Sequence, residues 1–394
     1  MTRIRTAATA ALLSLAVALP IAAAGTASAA APVPAAASAA VPAGAQLSLP
    51  APTGPHAVGV DTLHLVDRQR QDPWVPSAGP RQLMVSMYYP ARPGTGSPAP
   101  YMTAQEARLL LDMEAPGAGS AAQEVAGTRT YAYRAARPDG GKYPLVVLSP
   151  GFKMPRTTLT GLAVDLAGRG YVVALVNHTY EDSGTTFPDG TTLSCAICDG
   201  APHDPVAIDA SRAADVSFVL DQLVGHHPAW RYAHLIDPER IGMAGHSIGG
   251  AAAVSTMAAD HRVRAGVDLD GALAPGLPVN GLDGRPFLLI GNPANHGAGG
   301  DETSWATDWP QLDGWKRWLT ITGTTHLNFT DVPLLGDQLG LPTPGAQIDS
   351  TRALQITRDY VAAFFDEQLK GRPQTLFDGP SAAYPEVVNQ RPAG

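Results

Sequence analysis

At residues 245–249 the chain reads Gly245-His246-Ser247-Ile248-Gly249, between the segment Arg240 to Ala244 and the small-residue segment Ile248 to Ala259. The first segment is short and apolar like a strand, and the second is rich in Ala, Gly and Val over helical length, so the serine stands at a strand-to-helix turn. Such a sharp turn strains the serine backbone and leaves no room for neighbouring side chains. Glycine at 245 and 249, followed by Gly250-Ala251-Ala252, meets that demand. The Ser247 hydroxyl is then presented at the carboxyl end of a sheet, beside a helix N-terminus whose free N–H groups favour negative charge. In a chain with 41 glycines the five-residue pattern alone is weak, and the strand before and helix after make it specific.

The rest of the chain predicts the kind of sheet. Thr62 to Val66 and Leu83 to Tyr89 alternate or run apolar, with Asp, Pro and Gly between them, as an antiparallel hairpin at the sheet edge does. Thr103 and Glu106 have capping-box spacing ahead of Leu109-Leu110-Leu111. Tyr143 to Leu148 is a continuous apolar run, which fits a strand buried on both faces. Strands then alternate with helices: Gly170 to Val176, a helix marked by Ala213, Val216, Leu220 and Leu223, then Arg240 to Ala244 and the helix Ile248 to Ala259. Arg264 to Leu269, Pro286 to Ile290 and Arg317 to Ile321 are further strands, and a last helix runs from about Asp349 to Leu369, ended by Gly371 and Pro373. This is the pattern of an α/β fold, a mostly parallel sheet with helices on both faces, and with the serine turn it is that of an α/β-hydrolase.

An activated serine needs a base, an acid to orient the base, and donors for the oxyanion. In this fold the order along the chain is Ser, then Asp or Glu, then His, which leaves His261, His296 and His326. His326 follows the strand Arg317 to Ile321, where a loop can hang an imidazole over the serine. His261 falls in a helix-to-strand connection at the opposite edge, and His296 in the Gly-rich loop 291–300 is the rival. For the acid, Asp268 and Asp270 share a strand face, and only Asp270 lies at the very end, within reach of a loop imidazole. Asp301 and Glu302, after the next strand, compete with it. One oxyanion donor is the N–H of Ile248. The other is expected from Ser149-Pro150-Gly151-Phe152-Lys153, where Gly151 admits close approach and Phe152 supplies the N–H.

Arg3 and Arg5, an apolar run from Ala7 to Ala24 and Ala27-Ser28-Ala29 predict a secretory signal peptide over residues 1–29 and an exported product. The Ala/Pro-rich stretch 30–55 is expected to be a disordered leader, 56–372 the catalytic domain and 373–394 a C-terminal tail. With 35 acidic against 27 basic residues the chain disfavours nucleic acid as a partner. No apolar stretch after the leader could span a bilayer, though transient contact with a lipid surface is compatible with the sequence. Cys195 and Cys198 are the two cysteines. In an oxidising compartment they are expected to form a local disulfide, and two thiols alone complete no metal site.

Leu83-Met84-Val85-Ser86-Met87-Tyr88-Tyr89-Pro90, Ser149-Pro150-Gly151-Phe152, Gly245-His246-Ser247-Ile248-Gly249-Gly250, Leu269-Asp270-Gly271 and His326-Leu327-Asn328-Phe329 together resemble the platelet-activating factor acetylhydrolases of the plasma and intracellular type II class, in a secreted bacterial branch. The resemblance runs from about His56 to Lys370. It implies an acid directly after the strand that follows the nucleophile helix, the place of Asp270, and calcium-independent, cofactor-free release of short or oxidised sn-2 acyl chains from phospholipids. Two departures stand out. Pro150 replaces a histidine common in relatives, and the loop His178 to Pro205 has no counterpart. A cutinase or polyester hydrolase, with its acid near Asp301, and a binding protein on a hydrolase scaffold are the other readings.

Overall fold

The computed structural model describes residues 46–198, 204–274 and 276–391; the signal peptide expected over 1–29 lies outside them. The N-terminal hairpin joins β1 (Ala57–Gln71) and β2 (Pro80–Ala91). It is not the edge, because β3 (Ser97–Pro98) and β4 (Ala132–Arg134) lie outside it. Between these two strands come α1 (Ala104–Glu114) and α2 (Ala122–Ala126). The capping box of α1 is complete: Thr103 Oγ1 accepts from Glu106 N–H at 3.1 Å and Glu106 Oε2 from Thr103 N–H at 2.8 Å.

β5 (Tyr143–Ser149), α3 (Thr160–Gly168) and β6 (Val172–Val176) begin the parallel part. A two-strand hairpin follows, β7 (Thr185–Thr186) with β8 (Thr192–Leu193), and then α4 (Pro205–Val224). β9 (Ile236–His246), α5 (Ile248–Ala259) and β10 (Val263–Leu269) carry the serine turn. After β11 (Phe287–Gly291) come the short α6 (Pro293–His296) and α7 (Ser304–Asp308), then β12 (Lys316–Ile321), α8 (Val332–Gln338), α9 (Ser350–Lys370) and β13 (Val387–Asn389). The sheet order is β13-β12-β11-β10-β9-β5-β6-β2-β1-β4-β3, parallel from β12 to β6.

The central strands read as continuous apolar runs because both faces are covered. In β5, Leu145 and Val147 pack with α4 and α5 on one face, while Val146 and Leu148 pack with α3 and α9 on the other. Every residue of α3 is buried, so its sequence is apolar all round and carries no helical stripe; the sequence reading missed it for that reason. Asp349 caps α9, and Gly371 ends it in the left-handed conformation at φ 65°.

Residues 46–55 correct the leader expected over 30–55. Leu47 and Leu49 are buried against Tyr101, Leu110 and Leu335, and Thr53 N–H donates to Asp165 at 2.9 Å. Two leucines, each contributing about 2 kcal/mol when buried, outweigh the poor composition around them. The expected tail also joins the fold, since Phe377 is buried and β13 pairs with β12. Cys195 and Cys198 form a disulfide, as the sequence predicts. Among the described residues no helix is long and apolar enough to cross a membrane, and no group of three His, Cys, Asp or Glu could hold a metal ion.

Candidate active site

The carboxyl ends of β9, β10 and β12 bring Ser247, Asp270 and His326 to one end of the sheet. Ser247 has φ 56° and ψ −132°, a strained conformation for a non-glycine residue. Its surroundings fix it: the Ser247 N–H donates to Leu269 C=O at 2.8 Å, and Gly250 N–H donates to Ser247 C=O at 2.7 Å. A Cβ on Gly245 would stand 2.1 Å from the Gly249 carbonyl oxygen, and one on Gly249 would stand 2.2 Å from that of Ser149, so both positions exclude any side chain. Across the cleft, Gly151 lies close enough that a Cβ there would be 3.3 Å from that of Ser247. The half-buried Ser247 hydroxyl has no hydrogen-bond partner among the described residues.

His326 opens a short 3-10 turn in which Asn328 Oδ1 accepts from Thr325 N–H at 2.7 Å. Its Nδ1 lies 2.7 Å from Asp270 Oδ2, with the imidazole 42% exposed and the carboxylate fully buried. Burial pushes the Asp270 carboxyl up, but the His326 hydrogen bond, the nearby His296 and His326 rings and the Asn292 amide together hold it below the usual range. Asn292 donates to Asp270 Oδ1 from its backbone at 2.6 Å, and to Oδ2 from its side chain at 2.7 Å. Asp270 itself has φ 63°, so the carboxylate, like the serine, stands on a strained residue.

The structure separates the rivals. Asp268 is buried and its Oδ1 accepts from Gly271 N–H at 2.8 Å; burial pushes its carboxyl well above the usual range. Asp301 is exposed and Glu302 accepts from Ser304; neither pairs with His326. His296 is buried against Trp305 with ring centroids 4.0 Å apart, and its Nδ1 lies 3.5 Å from Asp270 Oδ1 without a hydrogen bond. His261 is exposed and pairs with Asp283.

Two neighbours escaped the sequence reading. Asn292 is one. The other is His246, whose Nε2 donates to the His326 carbonyl at 2.8 Å, with the two rings 4.5 Å apart. Burial, aided by the charges of His326 and Arg212, pushes the His246 pKa down to about 3, so it is a neutral prop for the His326 backbone. Phe152 and Ile248 are both half-buried near the serine, and the Phe152 N–H donates to no group among the described residues. An apolar groove of ≈ 370 Å³ begins at Leu327, next to His326, and is lined by Leu110, Leu111, Leu335 and Leu339. A cavity of ≈ 580 Å³ between β1, β2 and Arg156 holds none of Ser247, Asp270 or His326.

The model of the family described as platelet-activating factor acetylhydrolase, isoform II, matches residues 43–190 and 221–376. The chain belongs to this family. The break at 191–220 contains the two cysteines of the loop that the sequence reading could not match. A protein of Arthroderma benhamiae named probable 1-alkyl-2-acetylglycerophosphocholine esterase is 29% identical over 372 residues, covering 86% of this chain and 93% of its own. The Bos taurus platelet-activating factor acetylhydrolase is 26% identical over 267 residues, 58% of either chain. A solved structure, the ferulic acid esterase from Streptomyces cinnamoneus, is 44% identical at a TM-score of 0.79, covering 88% of this chain and 100% of its own. The fold is that of the α/β-hydrolases, and this member of the acetylhydrolase family is a carboxylic ester hydrolase.

Proposed function

We propose that the protein is an exported serine esterase in which Ser247 is the nucleophile, His326 the base and Asp270 the acid that orients it. The observation that carries this reading is the 2.7 Å contact between His326 Nδ1 and Asp270 Oδ2 beside a strained, unpartnered serine. With Nδ1–H donated to the carboxylate, the other ring nitrogen is free of its proton and can accept that of Ser247. The Ser247 oxygen attacks the ester carbonyl, and the N–H groups of Phe152 and Ile248 hold the resulting oxyanion. The alcohol leaves with the proton from His326. Water then attacks the acyl-serine by the same route, releasing the acid and restoring the hydroxyl. Export rests on the N-terminal charge and apolar pattern together with a disulfide; a chain recovered from the medium beginning near Ala30 checks it.

The substrate class is a short acyl ester of a phospholipid. The names of the Arthroderma benhamiae and Bos taurus relatives support it, as does the apolar groove that starts beside His326 and suits a hydrocarbon chain. A second reading, an aromatic ester, is favoured by the 44% identity to the Streptomyces cinnamoneus ferulic acid esterase. A fluorophosphonate should label the wild type and leave Ser247→Ala unlabelled; equal labelling of both sinks the nucleophile. Rates on a 2-acetyl phospholipid, methyl ferulate and a polyester film then rank the substrates. Faster turnover of the ferulate, per unit kcat/KM, overturns the lipid reading in favour of the aromatic one.

A further inference from the structure

Phe152 lies in a loop that other elements hold in place. Met154 N–H donates to Gly151 C=O at 3.2 Å, closing a β-turn whose third residue, Lys153, has φ 71°. That is the signature of a type II turn, which ordinarily places glycine at this position. A lysine there is strained and persists only where its surroundings insist on it. They do: Lys153 N–H donates to Glu181 C=O at 2.8 Å, and Lys153 C=O accepts from Ser183 N–H at 2.9 Å.

The other side of the turn is held from α4. Arg212 Nη1 donates to Pro150 C=O and also reaches Ser149 Oγ at 3.3 Å, while its Nε donates to Glu181 Oε2 at 2.8 Å. Glu181 therefore acts twice. Its backbone carbonyl holds the turn after Phe152, and its side chain aims the guanidinium that holds the turn before Phe152. Behind it, Glu181 Oε1 accepts from Trp74 Nε1 at 2.8 Å, and Arg81 bridges Glu181 to Asp215. Arg212 is 1% exposed and Glu181 0%.

Two considerations give this clamp a task beyond folding. A buried ion network adds little net stability, because desolvation offsets most of the attraction. The loop also abuts the nucleophile helix directly, with Gly249 leaving no space for even a methyl group against Ser149 and Pro150. A shift of Pro150 thus moves the Phe152 amide relative to Ser247. We propose that Arg212, aimed by Glu181, is a positioning residue for the Phe152 amide, so that the oxyanion hydrogen bond depends on a guanidinium that touches no substrate. This rests on the reading of Phe152 as an oxyanion donor. The positive charge of Arg212 also disfavours the imidazolium of His246, in keeping with its place behind the site.

Arg212→Lys tests the proposal, since a lysine keeps the charge facing Glu181 but loses the fork that reaches Pro150 as well. On 4-nitrophenyl acetate, kcat should fall on the order of ten- to a hundredfold with KM changed by less than about threefold. Affinity for a trifluoromethyl ketone, whose hemiketal oxyanion occupies the same place, should fall by the factor seen in kcat. Arg358→Lys, which disturbs an equally buried pair with Asp165, should lower Tm and leave kcat and ketone affinity unchanged. Phe152→Pro deletes the amide hydrogen at a turn position that accepts proline, while Phe152→Ala keeps it. The proline variant should be much the slower of the two, and adding Arg212→Lys to it should cost no further rate. Wild-type kcat and ketone affinity in Arg212→Lys, with Phe152→Pro slow, overturn the positioning role and leave the donor in place. Equal rates for Phe152→Pro and Phe152→Ala overturn both, whereas fluorophosphonate labelling reports on Ser247 independently. If Arg212→Lys does not fold, Arg212→Gln with Glu181→Gln, which removes both charges together, is read by the same measurements.

Discussion

Two sets of Ser, His and Asp are built into this molecule, and in each the histidine Nδ1 pairs with the aspartate. In one, Ser149 Oγ lies 3.0 Å from His178 Nε2, and His178 Nδ1 lies 2.9 Å from Asp215 Oδ2. In the other, His326 Nδ1 lies 2.7 Å from Asp270 Oδ2, and the Ser247 hydroxyl makes no hydrogen bond among the described residues. What differs is access and strain. His178 is 1% exposed against 42% for the His326 side chain, and Ser149 sits unstrained at the end of β5 with its oxygen also held by Arg212. Burial and the Arg212 charge push the His178 pKa down, while Arg81 and His178 hold the Asp215 carboxyl far below its usual range against burial. The buried set therefore has every donor and acceptor satisfied, and no hydroxyl is left to attack anything. The proposed catalytic set leaves its serine unpartnered and its imidazole half in solvent, which is the condition for a proton to move. Identical residue types make a brace in one place and the proposed reaction centre in the other.

Paired substitutions separate the two. Ser247→Ala should lower kcat by about 10⁵-fold or more, whereas Ser149→Ala should lower it by less than about tenfold and cost about 1–3 kcal/mol of stability through the orphaned His178 Nε2. Turnover assays beside denaturant melts decide this, and the reverse ranking would exchange the roles of the two serines. Asp270→Asn should cost about 10⁴-fold in kcat with little loss of stability. Asp215→Asn should instead destabilise by about 3–5 kcal/mol, because Arg81 and Arg70 lose their buried partner. Equal melting of the two variants would remove the distinction.

The smallest effect is on pH dependence. Burial holds the His178 pKa below the ordinary histidine value of about 6.5, so as pH falls through that value the unfolded chain gains a proton before the native chain does. Its contribution to stability is present above that pH and is lost as pH falls, by at most about 1.4 kcal/mol per pH unit. Asp182 and Asp331, both pushed up to about 7 by burial, act with the opposite sign, keeping protons that the unfolded chain releases above about pH 4. The difference between wild type and His178→Gln isolates the histidine. The variant should show the shallower loss of stability between pH 7 and pH 4, and parallel curves would mean that His178 is charged in the native state.

Much of the fold could be read from the sequence because burial on both faces leaves runs such as Tyr143 to Leu148, and because Ser247 sits where strand period gives way to helix. Helix α3 was not legible, since uniform burial erases periodicity. Leu47 and Leu49 were lost in a composition that suggests disorder, and their partners lie far along the chain. At the site, the order Ser, Asp, His and the strand ends narrowed the candidates to few, and the structure brings Asp270 and His326 together while turning Asp268 into the core. Asn292, His246, Glu181 and Arg212 gave no signal. Their contacts exist only once the sheet has formed, as with Arg212 and Ser149, 63 residues apart.

The bond from the Ser247 amide to the Leu269 carbonyl ties the bend of one strand to the last residue before Asp270 on the next. Ser247 and Asp270, the proposed nucleophile and acid, thus belong to a single corner of the sheet, with no free joint between them. That corner lasts as long as the central layer does, so warming that loosens the outer turns displaces His326 and Phe152, which stand on them, before it parts Ser247 from Asp270.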